Sequence, residues 1–302
     1  MSSTQSQVSD LFAEFNDADR IGVIRELIDQ NRELASLPRS QFFYFLFADI
    51  PCLKLLRDMM KNDRQEKFVE IANFTKSYDL AGNLLGTKRQ VPHDRKSSAA
   101  RMATKRDNDK CLLTKREQPT LESAPIIPNT IHGQIPHDMT WSFLRVFWGD
   151  KVDEWRRQLG LDRNNSTINI EKVHNLMTLE TQTRDYWDRA LIAFRPISEN
   201  PEKTRIDIQF HWIAINQDTL PKRTADVPLD GLPFPDMSQR FCNERATGRN
   251  IWQQEDDTII RSGHIFIVTT DDPVRKPLPS FELLELQWHL TRIAVMQGAG
   301  ED

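Results

Sequence analysis

The sequence predicts an α+β fold, and three observations carry that prediction. Val23, Leu27 and Ile28 recur at helical spacing with charges between them. Arg205-Ile-Asp-Ile-Gln-Phe-His-Trp-Ile213 alternates strictly, as a strand with one buried face does. Leu283, Leu286, Leu290 and Ile293 then form a second helical stripe near the C-terminus. The predicted order is a helical N-terminal module over 1–85, a basic linker over 86–109 and an α+β domain over 110–302.

Within the first region one helix carries the Val23 stripe. A second is expected through Phe42 to Met60, kinked or interrupted at Pro51, and a third over Arg64 to Phe74. Such a module can pack on itself or on a partner. Lys88-Arg-Gln-Val-Pro-His-Asp-Arg-Lys-Ser-Ser-Ala-Ala-Arg101 has no large apolar anchors and reads as linker. Order resumes at Lys110-Cys-Leu-Leu-Thr114, a short strand candidate. From Trp141 to Trp155 aromatics fall at helical spacing; they can stack on bases, but core packing is the better reading. Turns fill 217–237, and Gly263 to Thr270 forms another strand that Asp271-Asp-Pro273 ends. Ser280 is placed to cap the last helix, with Glu282 and Glu285 near its positive end and Gly298 as its stop.

The chain has 302 residues, 28% charged and 38% hydrophobic, with a net charge of −4. No apolar run approaches the ~20 residues that cross a bilayer. The N-terminus has neither a basic start nor an apolar core, which predicts an intracellular protein, cytoplasmic or nuclear, with no membrane association. Cys52, Cys111 and Cys242 are far apart, so reduced and mostly buried thiols are expected in place of a zinc site. Charge is concentrated between Lys88 and Arg116, where ten Lys/Arg face three Asp. That stretch can track nucleic-acid phosphates, serve as a nuclear address, or keep a loop in water.

Several strings occur in a suggestive order: Cys111-Leu-Leu-Thr114, Pro125-Ile-Ile-Pro128, Phe147-Trp148, Asn175-Leu-Met-Thr-Leu179, Trp187-Asp188, Ala193-Phe-Arg-Pro-Ile197 and Leu278 to Trp288. In this arrangement the segment from Lys110 onward resembles a group of fungal HNH-nuclease-domain proteins. The resemblance implies an HNH-like core of two strands and a helix around one divalent cation, elaborated here by further strands and the C-terminal helix. It implies a first histidine as general base, an asparagine bracing the loop, and a last histidine ligating the metal.

Carried over by position, only Asn175 survives. Pro125 stands where the base belongs and can accept no proton. Arg184 stands at the metal-ligand position, and its permanent positive charge repels a divalent cation. Rescue would need His132, His137 or His174, or oxygen ligands from Glu122, Glu180 or Asp185, with Asp185, beside Arg184, more naturally forming a local ion pair or an exposed helix-start charge. His211 and His264 lie in strand candidates. No cofactor is therefore expected, a divalent cation such as Mg²⁺ entering only if the site is rescued.

The function these readings predict is that of a degenerate HNH-like protein without metal-dependent cleavage. It would bind nucleic acid through 88–116 or a protein through the N-terminal helices. Arg184, beside Asn175, could hold a phosphate where the metal would sit, or form a salt bridge. The alternatives are an HNH-like scaffold reused as an enzyme on a small molecule, and an active nuclease with substitute residues.

Overall fold

The computed structural model describes residues 13–30, 39–61, 97–117, 119–128, 137–161, 172–213 and 250–296. Among them the chain is α+β, with antiparallel sheets. A 3-10 turn at Ala13–Asn16 leads into α1, Ala18–Gln30. Asp17 caps it, its Oδ1 accepting from the backbone N–H groups of Asp19 and Arg20. Helix α2, Arg39–Phe47, and helix α3, Ile50–Lys61, follow. The break falls at Ala48 and Asp49. Pro51 sits in the first turn of α3, where a missing N–H costs nothing. The expected helix over 64–74 lies outside the described residues.

These helices are not a separate module. Val23, Leu27, Tyr44 and Phe47 belong to one hydrophobic core with Trp148, Leu290 and Ile293. The last helix, α8 at Phe281–Met296, packs on α2. Its buried Arg292 donates to Glu14 at 2.9 Å and lies over the Phe47 ring, 4.3 Å from its centroid. The boundary expected at residue 85 is therefore not a boundary of the core. An apolar stripe finds its cover wherever burial is available, here at the far end of the chain.

A second correction concerns the basic linker. Ser98–Arg106 is helix α4, capped by Ser97, whose Oγ accepts from the Ala100 N–H at 3.1 Å. Its buried stripe consists of Ala99, Ala100 and Ala103, packed with Val173 and Leu176. Alanines allow close approach but leave no large apolar signal in the sequence. At the end of α4, Arg106 and Asp107 form a fully buried ion pair. All five guanidinium N–H groups are used: two on Asp107 and one each on the carbonyls of Val173, Leu176 and Pro277.

Lys110-Cys-Leu-Leu-Thr114 is also not a strand. Lys110 makes a single bridge with Glu117 around a tight turn, which Leu112 N–H ties to the Thr178 carbonyl at 2.9 Å. Cys111 is a buried free thiol and Cys52 a half-buried one; Cys242 is outside the described residues. The aromatic stretch forms two helices, α5 at His137–Trp148 and α6 at Lys151–Gln158. They part at Gly149, whose φ of +54° suits glycine. Trp141, Phe147, Trp148 and Trp155 are all buried, so they build core and offer no stacking platform.

The remaining elements are β1 Leu121–Pro125, β2 Leu176–Glu180, α7 Thr181–Asp188, β3 Ile192–Glu199 and β4 Arg205–Trp212. The short β5 Trp252–Gln253, β6 Thr258–Ile259 and then β7 Ile265–Thr269 complete the set. Strands β1 and β2 pair antiparallel, and β3, β4 and β7 form a second antiparallel sheet in that order. The alternation seen at 205–213 buries Ile206, Ile208, Phe210 and Trp212. Ser280 caps α8, its Oγ accepting from the Leu283 N–H, and the predicted stripe of Leu283, Leu286, Leu290 and Ile293 is buried. Among the described residues no helix is long and apolar enough to cross a membrane.

Candidate functional site

Pro125 ends β1, Asn175 directly precedes β2 and Arg184 lies on α7. Strand β1 ends at Pro125, which pairs with Leu176 at the start of β2, and α7 follows β2 without a loop. Between β1 and β2 the chain runs through α5 and α6. The register sets Pro125 and Asn175 at one end of the strand pair, while α7, which carries Arg184, starts at the other, where Leu121 faces Glu180.

Asn175 is 1% exposed and clamps the segment after β1. Its Oδ1 accepts from the Ile127 N–H at 3.0 Å, and its Nδ2 donates to the Ile127 carbonyl at 3.0 Å. The Asn175 carbonyl accepts from Ile126 N–H as well, at 2.8 Å. A primary amide is the side chain that can serve one residue's donor and acceptor together. Below the clamp, the buried Arg106 holds the carbonyls of Val173 and Leu176 on either side of it.

Arg184 lies on α7, facing β1. Its Nη1 donates to Glu122 Oε2 at 2.5 Å and its Nε to Asp188 Oδ2 at 3.2 Å. The three side chains are only 11–17% exposed. Glu122 is held further by the Thr181 hydroxyl, which donates to Oε1 at 3.2 Å. Next to it, Glu180 is buried and receives Thr183 Oγ1 and the Arg116 guanidinium. Two cations against three carboxylates leave this patch negative, a poor setting for a phosphate. The fork expected to face a phosphate is spent on the protein's own carboxylates.

The expected partner Asp185 pairs instead with Arg189, at 3.7 Å. On a helix, neighbours in sequence point about 100° apart, whereas residues four apart share a face. That spacing made Asp188 the legible partner. Glu122 was not legible, because strand pairing brings it in.

The substitute histidines are placed as follows. The His174 Nε2 is 2.8 Å from the Gln158 carbonyl, and burial lowers its affinity for a proton. His211 and His264 belong to the other sheet, on β4 and just before β7. His132 lies outside the described residues, and His137 is described only as the first position of α5. Pro125 is buried and offers no side-chain nitrogen. Among the described residues no group of three or more His, Cys, Asp or Glu side chains is arranged to hold a metal ion.

No family model, curated protein or solved structure matches this chain.

The Arg184–Glu122 pair should couple measurably because both groups are mostly shielded from water. In a double-mutant cycle of Arg184→Met and Glu122→Gln, read by urea denaturation, the expected coupling is about 1–2 kcal/mol. A coupling near zero would mean that the contact does not hold α7 to β1.

Proposed function

We propose that this chain is an HNH-like scaffold that has exchanged its metal chemistry for a built-in cation and acts by binding. The single observation that supports this is the arrangement at position 184. A guanidinium takes the place where the family's resemblance calls for a metal-ligating imidazole, and two carboxylates from β1 and α7 neutralise it. Asn175 keeps its loop-bracing contacts, while Pro125 removes the base. Without base and ligand the one-metal route to phosphodiester hydrolysis has no residue for either step.

Nucleic acid is the favoured partner. The apolar stripe of the N-terminal helices, the other candidate surface, is covered by the chain's own core. Within the basic segment, Lys105, Arg106, Lys110 and Arg116 are engaged with Asp109, Asp107, Glu117 and Glu180. The phosphate-tracking reading therefore rests on Lys88, Arg89, Arg95 and Lys96 with the exposed Arg101 of α4 and Lys115.

The expected result is salt-sensitive binding of DNA or RNA with no Mg²⁺- or Mn²⁺-dependent nicking of supercoiled plasmid. Neutralising Lys88, Arg89, Arg95 and Lys96 together should flatten the slope of log K against log salt by about three to four. An unchanged slope would remove 88–101 as the contact. Chelator-sensitive nicking by the wild-type chain would overturn the non-cleaving reading.

A further inference from the structure

A second polar cluster lies on the β3–β4–β7 sheet, and the reading above does not use it. Arg195 on β3 is paired in register with Gln209 on β4, and His211 follows two residues later on the same face. Trp288 of α8 covers them. Its ring centroid is 5.4 Å from that of His211, 6.0 Å from the Arg195 guanidinium carbon and 4.7 Å from that of Arg292.

The hydrogen bonding of this cluster is incomplete in a specific way. Gln209 Nε2 donates to the Gly263 carbonyl, which leaves Gln209 Oε1 to accept from His211 Nε2 at 3.0 Å. That fixes the imidazole proton on Nε2 and a bare lone pair on Nδ1. Nδ1 is buried and has no hydrogen-bond partner, in a residue only 2% exposed. Arg195 is half-buried, and among the described residues its guanidinium has neither an ion-pair nor a hydrogen-bond partner. A buried orphan acceptor costs about 1–3 kcal/mol. Here it stands beside a cation without its own anion.

We propose that Arg195 and His211, against Trp288, bind a protonated phosphate group, either inorganic phosphate or a phosphomonoester. The buried His211 Nδ1 and the half-buried Arg195 select this chemistry together. Arg195 supplies a planar cationic fork for two anionic oxygens. The lone pair of His211 Nδ1 needs a donor, and a phosphate bearing one P–OH provides it. Sulfate has the same tetrahedral shape but carries no O–H. Burial, with Arg195 and Arg292 nearby, holds the His211 pKa down to about 3. The imidazole therefore stays an acceptor at pH 6, where phosphate keeps its proton.

The test is a titration of the full-length protein at pH 6 with inorganic phosphate, following the His211 imidazole nitrogens by NMR. The expected result is a saturable shift of Nδ1 and binding at least fivefold weaker for sulfate. Arg195→Gln should weaken binding more than tenfold, and Arg195→Lys should restore part of it. A thermal melt of each variant matching the wild type separates lost binding from lost fold. Methyl phosphate identifies the source. Binding of both compounds supports a phosphomonoester site, and binding of inorganic phosphate alone supports a free-phosphate site. No saturable shift, equal affinity for sulfate, or full affinity in well-folded Arg195→Gln would overturn the proposal.

Discussion

Replacing Arg106 by methionine is expected to destabilise the protein by about 3–5 kcal/mol, the cost of removing one partner from a buried ion pair. Arg106 and Asp107 have fully buried side chains, and the guanidinium satisfies three backbone carbonyls from Val173, Leu176 and Pro277 besides its carboxylate. Methionine fills much of the volume but leaves the buried Asp107 carboxylate answered, among the described residues, by the Thr178 N–H. Urea denaturation followed by tryptophan fluorescence measures the loss. Arg106→Lys should recover little, since an ammonium cannot reach carboxylate and carbonyls with five planar donors. A loss under 1 kcal/mol for Arg106→Met would show that α4 is not pinned in this way.

Asn175→Ala is the second large effect, expected at about 2–4 kcal/mol. It leaves both the N–H and the carbonyl of Ile127 without their side-chain partner in a buried position. Asn175→Asp should be at least as damaging. It keeps an acceptor for the N–H but turns a negative oxygen toward the Ile127 carbonyl. The same denaturation measurement checks the order, and Asn175→Asp milder than Asn175→Ala would contradict the two-way clamp.

Side-chain periodicity explains how much of the fold was legible. The alternation at 205–212 and the stripe of α8 each report one buried face directly, and both are where the pattern puts them. Helix α4 escaped because its buried side is alanine and its other side is charged, which resembles a linker in composition. The pairing of β1 with β2 had no sequence signal either. Every residue of β2 is buried, so alternation is lost, and its partner strand is distant in the chain. The shared core of the N-terminal helices and α8 is likewise a long-range fact.

For the site, the chemistry of single positions could be read, and their partners on other elements could not. Proline cannot serve as a base, and arginine does not ligate a cation. Asp188 follows from the spacing of four along α7, but that Arg184 answers Glu122 follows only from placing α7 against β1. The orphan Nδ1 of His211 lies one level deeper. It follows from strand register and from the amide of Gln209, neither of which a sequence displays.

We propose that β1, β2 and α7 present an HNH-like frame from which the metal chemistry is gone. The double variant Pro125→His with Arg184→His tests it most directly, measured by Mn²⁺ titration calorimetry and by nicking of supercoiled plasmid. Removing the guanidinium takes the cation from Glu122 and Asp188 while an imidazole is placed at positions 125 and 184. The expected result is stoichiometric Mn²⁺ binding and chelator-sensitive nicking in the double variant, with neither in the wild type. A folded double variant that binds no Mn²⁺ and leaves the plasmid intact would contradict the claim.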